Sequence, residues 1–355
     1  MNESAARTMD NDDVEAVLAM VPTLLHFTPT NSLIMVGFTG KRSYRVAFVA
    51  RVDVPDPACY ATVLSQLQNM GALREIDAVA VVIVGGTEDR ADDDVSSAAN
   101  ERSVDGSCDE WDLPHRELVD GCTELAQKLN LPVLATLWVP ELHRGRRWFS
   151  FTEPGRSGVL PDLTTSLATV MAIVGGQVID ADRDALVAHI KPDPAAALAR
   201  RQQLIHDQPP IVVEQAIAFL HDVIARANTD EAVLDDEAIA RLAHGLTHPQ
   251  VFDAALSLAL TDSAANAERL WTYLTRSTPR PHRAHPASLL SLAAYLRGDG
   301  VLAHVAAEAA VNGDPSNQLA NLMSLSIDRG LRPNRLRDML AEAIAAEGDS
   351  SSAPF

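Results

Sequence analysis

Seven consecutive apolar residues, Ala78 to Val84, constrain this chain more than any other stretch. A strand that is apolar on both faces must be covered above and below, which predicts a central, parallel position in a sheet with helices on either side. Upstream, Phe27 to Pro55 reads as a strand, a tight turn and a second strand at the centre of the same sheet. Ser32 to Phe38 are apolar apart from Ser32 and Gly37, Thr39-Gly40-Lys41-Arg42 supplies turn chemistry, and Tyr44 to Val54 alternates with period two. That alternation puts Tyr44, Val46, Phe48, Ala50, Val52 and Val54 on one face and Arg45, Ala47, Val49, Arg51 and Asp53 on the other. Leu131 to Val139 predicts a further central strand. His143-Arg144-Gly145-Arg146-Arg147 then turns into a shorter strand, Trp148 to Thr152.

Helical periodicity surrounds these strands. Asn11 or Asp12 can cap a helix to Leu25, with Pro22 placed to kink or restart it. Asp56-Pro57 opens a helix to about Gly71, and another runs from about Leu113 to Asn130 with Cys122 on its apolar stripe. Past Pro161 the strand signal stops and helix follows helix. The expected organisation is an α/β sheet domain over 1–160 with a disordered acidic loop at about 87–111, a helical connector over 161–194, an all-α domain over 195–346 and a loose tail over 347–355. The fold class is therefore α/β, an N-terminal mixed-sheet sandwich joined to a C-terminal all-α helical bundle. Gly298-Asp299, Ala303, Ala310 and Asp314-Pro315 fall at the spacing of one tetratricopeptide-like hairpin. No second copy lies about 34 residues away, so a solenoid is not expected.

Charge narrows the partners. The net charge of -19 opposes general affinity for nucleic acid backbone or anionic lipid. Between Glu88 and Asp120 there are twelve Asp or Glu against three Arg, so about half of that charge sits in one segment. The segment reads as a solvated loop, or as a lid or acidic bait for a basic partner. No run of eighteen apolar residues occurs and Met1 to Asp13 is polar, which predicts a cytoplasmic protein without a membrane span. Cys59, Cys108 and Cys122 lack CxxC spacing and suit a reducing compartment.

Catalytic signatures are missing from the sequence. Gly85-Gly86 follows a strand, but neither phosphate-loop pattern is present. Asp92-Asp93-Asp94 lacks the spacing of a calcium loop. His244 and His248 have zinc-like spacing, yet Gly245 and Pro249 interrupt the helix between them. His282 and His285 lie in a proline-rich stretch, Thr278 to Pro286, and are expected to be solvated. No catalytic residue, metal or cofactor is assigned. The candidate ligand-binding residues are Ser32, Arg51 and Asp53 on the hairpin, with Arg147 as an anion fork and Trp148 as an aromatic platform within reach of them. Two functions fit: a non-enzymatic interaction or regulatory protein that docks a protein partner through its helical half, or a sensor or enzyme for a phosphate or other small ligand with a pocket at the strand ends. A homo-oligomer is compatible with either.

Several short motifs carry a resemblance. Val21-Pro22, Leu24-Leu25, Phe27, Pro29, Ser32-Leu33, Arg51-Val52-Asp53-Val54-Pro55, Arg147-Trp148, Gly298-Asp299-Gly300 and Asp314-Pro315 together resemble an actinobacterial family catalogued as domain of unknown function 4192. The resemblance spans nearly the whole chain and implies an actinobacterial or actinophage origin and the two-part architecture. Where such proteins often carry cysteines after the Trp strand, Phe151 to Gly158 has none, so no redox or metal role is carried over.

Overall fold

The computed structural model describes residues 9–40, 44–85, 113–163, 183–226 and 234–350, with side chains to 346. The chain divides into two compact units, Met1–Arg183 and Asp184–Phe355.

In the first unit helix α1 (Asn11–Leu25) is capped by Asp10, whose side chain accepts from the Asp13 N–H at 2.8 Å. The cap lies one residue before the expected one, and the helix runs unbroken through Pro22. Strands β1 (Ser32–Thr39) and β2 (Arg45–Asp53) form the expected antiparallel hairpin. A 3-10 turn, Pro57–Cys59, leads into α2 (Tyr60–Gln68), and a second, Gly71–Glu75, leads into β3 (Ala78–Val84). Helix α3 (Arg116–Lys128), β4 (Val133–Val139), β5 (Arg147–Ser150) and β6 (Ser157–Val159) complete the unit.

The six strands form one mixed sheet in the order β2-β1-β3-β4-β5-β6, with β3 and β4 parallel and the other pairs antiparallel. All seven residues of β3 are buried, as its apolar run requires of a covered strand, but the expected parallel position holds only toward β4, because β1 runs antiparallel to it. The hairpin is central only through β1, because β2 is the edge strand. A register shift at Gly37/Phe38 leaves Ala47 as an extra residue, so strict alternation holds only from Phe48 onward. One face of the sheet, carrying Leu33, Met35, Val81, Ile83, Trp138 and Phe149, packs with Val63 and Leu67 of α2 and Leu118, Val119, Cys122 and Leu125 of α3. Cys122 is a core residue, its thiol pushed up to about 12 by burial. Strand β6 has no counterpart in the sequence reading. It is three residues long and contains Gly158, so it offers no periodic signal.

The second unit is helical. Among the described residues it contains α4 (Arg183–Ala188), α5 (Ala195–His206), α6 (Val213–Arg226), α7 (Asp236–Gly245), α8 (Pro249–Ser257), α9 (Ala264–Ser277), α10 (Ala284–Arg297), α11 (Gly300–Gly313), α12 (Gln318–Asp328) and α13 (Pro333–Ser350). Helix α10 is its centre: twelve of its fourteen residues are buried, the signature of a helix surrounded on all sides. Gly298 at φ 99° ends it in the left-handed conformation that favours glycine, and Asp299 then caps α11 by accepting from the Leu302 N–H at 2.9 Å. Ala303, Ala306, Ala307 and Ala310 on α11 are buried, and the buried Ser291 hydroxyl of α10 donates to the Ala303 carbonyl at 2.8 Å, so small residues hold the α10–α11 hairpin close. The expected acidic loop and all but the first residue of the connector helix over 163–174 lie outside the described residues, as does the end of the tail.

Candidate functional site

The strand directions bring most of the candidate residues to one end of the sheet. Ser32 begins β1, Asp53 ends β2, and Arg147 begins β5, at the end where the parallel strands β3 and β4 finish. Ser32 and Asp53 are register partners, and Arg51 stands opposite Ile34. The Arg51 Nε donates to the Ser32 hydroxyl at 2.9 Å, the Ser32 hydroxyl donates to the Thr30 carbonyl at 2.7 Å, and Arg51 Nη2 pairs with Asp53. The guanidinium also lies 5.8 Å from the Phe27 ring centroid. Only 11% of the Arg51 side chain is exposed, against 73% for Asp53, so the nearly buried charge is satisfied by groups around it.

The other two candidates stand apart. Trp148 shares the Arg51 face of the sheet but is four strands away, about 19 Å at the usual strand spacing. It is fully buried, with the Arg156 guanidinium 5.9 Å from its ring centroid, so the expected open aromatic platform within reach of Arg51 is not formed. Arg147 points to the opposite face, donates to the Ser157 hydroxyl at 2.8 Å and lies 5.7 Å from the Phe149 ring centroid. The neighbouring basic residues are matched locally, Arg146 by Glu141 at 3.0 Å and Arg144 by Asp162 at 3.5 Å.

At the same sheet end is a pair that sequence reasoning missed. The Tyr60 hydroxyl, at the start of α2, is 2.7 Å from Nδ1 of His115, the residue before α3. Burial raises the Tyr60 pKa, and the Glu117 and Asp56 charges add to it, so the phenol stays protonated; the tautomer of the His115 ring sets which partner donates. Fifty-five residues separate the two, and no local pattern announces the contact. Among the described residues no three His, Cys, Asp or Glu side chains are grouped to hold a metal ion.

In the helical unit the charged groups are mostly joined to one another. Arg201 donates to Asp193 at 2.6 Å, to Asp236 at 2.7 Å and to the Ser277 carbonyl at 3.0 Å. Hydrogen bonds from Arg200 and Arg201 hold the Asp236 carboxyl below the usual range. Arg297 bridges Glu268 and Asp299. A shallow apolar depression with room for about one water, about 10 Å³, lies among α6, α7 and α8, where Arg241 covers the Phe219 ring at 4.0 Å. His282 and His285 are half-buried rather than solvated, because the Thr278–Pro286 stretch is packed: Thr278, Arg283, Ala284 and Pro286 are buried.

The apolar surface is distributed unevenly. Of the large hydrophobic side chains exposed among the described residues, Val159 belongs to the sheet unit, whereas Val212, Tyr273, Leu322, Leu325 and Met339 belong to the helical unit. Leu322 and Leu325 are one turn apart on α12, 48% and 47% exposed, while Ala320 and Met323 of the same helix are buried.

A family model described as domain of unknown function (DUF4192) matches residues 15–334, and the chain belongs to that family. No curated protein and no solved structure gives a significant match. Among the described residues no helix is long and apolar enough to cross a membrane.

Proposed function

We propose that this DUF4192 protein is a non-enzymatic interaction or regulatory protein that docks a protein partner through its helical half. The observation that carries this reading is the pair Leu322 and Leu325, two large apolar side chains left half exposed on one turn of α12. An exposed leucine alone needs no explanation, but adjacent ones on a helix whose other face already fills the core are the anchors by which helical surfaces are recognised. Met339 on α13 adds apolar surface to the same unit. The alternative, a small-ligand pocket at the sheet end, has less support. Arg51 is engaged with Ser32 and Asp53, and Trp148 is buried.

The test compares full-length wild-type protein with a Leu322→Glu/Leu325→Glu variant as bait in a lysate of the native host. A partner captured by the wild type and lost by the variant, with an unchanged melting temperature, supports the docking reading. Thermal stabilisation by a nucleotide or phosphate compound, abolished by Arg147→Ala, with no partner captured, overturns it in favour of the ligand pocket.

A further inference from the structure

The turn between α9 and α10 gathers imidazoles that the sequence scattered over three elements. His244 lies near the end of α7, His248 immediately precedes α8, His282 is in the turn, and His285 is in the first turn of α10. The His285 N–H donates to the His282 carbonyl at 3.3 Å. The His285 ring meets Phe252 of α8 edge-on at 5.7 Å between centroids, and the Phe252 N–H donates to the His248 carbonyl at 3.0 Å. One aromatic contact thus ties α8 to the start of α10. Nδ1 of His248 and Nδ1 of His285 are both enclosed, with no hydrogen-bond partner among the described residues.

Among the described residues, the groups around these rings are mostly cationic or imidazole. The turn itself contributes Arg280 and Arg283, and Arg283 Nη2 donates to the Ile190 carbonyl at 2.7 Å. Helix α7 contributes His244, and α8 contributes His248 and the Phe252 ring. Beyond α11, the Asp314 carboxylate faces His285 and favours its charged form, held ionised by the bonds its Oδ1 accepts from the Ser316 N–H at 2.9 Å and the Ser316 hydroxyl at 2.7 Å.

We propose that this cluster is a proton-sensitive latch: neutral His282 and His285 let the turn seat α10, and their protonation in the mildly acidic range loosens it. Burial lowers the pKa of both rings; His285 and His244 add to the effect at His282, while at His285 burial outweighs a hydrogen bond to the His282 backbone and the Asp314 charge, which both act the other way. An imidazole titrates near 6.5 in an unfolded chain, so between that value and the lower native one the unfolded state binds more protons. The latch is therefore fully stable above about pH 6.5, weakens as pH falls from there toward the depressed native values, and loses no more below them. Each unit of depression costs about tenfold in the folding equilibrium once pH is below both. Because α10 is buried on nearly every side, a loosened start exposes the centre of the helical unit.

The experiment follows the histidine ring resonances of the full chain from pH 8 to 5, assigned with His282→Gln and His285→Gln, together with melting temperatures at pH 7.5 and 5.5. The expected result is ring titration of His282 and His285 below 6.5, a melting temperature several degrees lower at pH 5.5, and a loss at least halved in the double variant. Amide exchange, corrected for its intrinsic pH dependence, should rise at 278–290 before it rises in the sheet unit. Ring titration at or above 6.5, an equal loss in the double variant, or a uniform rise in exchange would each overturn the proposal. If the double variant does not fold, the wild-type titration and exchange decide.

Discussion

Gly158 occupies a position where a side chain would collide. It is the cross-strand partner of Trp148, and a Cβ built on it would lie 2.5 Å from the indole Nε1. The indole is fully buried and has no room to retreat, so Gly158→Ala should destabilise the sheet unit by about 2 kcal/mol, read as a lower midpoint in urea unfolding with an unchanged slope. Residues of this kind mark the limit of what the sequence showed. The sharing of one side by Arg51 and Asp53 follows from the two-residue period of a strand, and the structure joins them as that period requires. The burial of Trp148 does not follow from any local rule. It depends on the three-residue strand β6 and on Arg156, which bonds Asn11 at 3.1 Å and also the Met9 carbonyl, far back along the chain.

At the scale of elements, the long periodic segments were legible and the short or tightly packed ones were not. The apolar run of β3 and the stripe of α3 each define a neighbour by burial alone. By contrast, Thr278 to Pro286 reads as a loose, solvated break by composition, yet it is packed, with Arg283 reaching Ile190 and His285 reaching Phe252. Proline content signals the end of a helix, not exposure, and the contacts that pack this turn include residues far along the chain, Ile190 and Phe252 among them. The α10–α11 hairpin was visible through its alanines, and its closeness can be tested directly. Ala303→Leu would force a larger side chain between helices that now approach near enough for Ser291 to bond the Ala303 carbonyl, and should lower stability by about 2–3 kcal/mol. Circular dichroism melting reads the effect, and an unchanged curve would show that the hairpin has slack.

The whole molecule consists of two units with separate cores. The sheet unit is built on Leu33, Val81, Trp138 and their neighbours, and the helical unit on Leu220, Trp271, Leu290 and theirs. A core of that extent within a unit of ordinary domain size is enough to fold independently. Residues 184–355 expressed alone should therefore be helical and melt cooperatively, whereas a broad, non-cooperative transition would show dependence on the sheet. The two-part layout was read from the end of strand signal near Pro161, but the outward-facing leucines of α12 were not singled out. A helical pattern shows which residues repeat, and only the packing of α12 shows which of them remain uncovered. The most direct test of the docking account is the affinity of the captured partner for residues 184–355, for residues 1–183, and for full-length protein carrying Leu322→Glu/Leu325→Glu. The account predicts that 184–355 binds about as tightly as the full chain, that 1–183 does not bind, and that the double substitution weakens binding at least about tenfold. Full affinity in residues 1–183, or in the substituted protein, would contradict it.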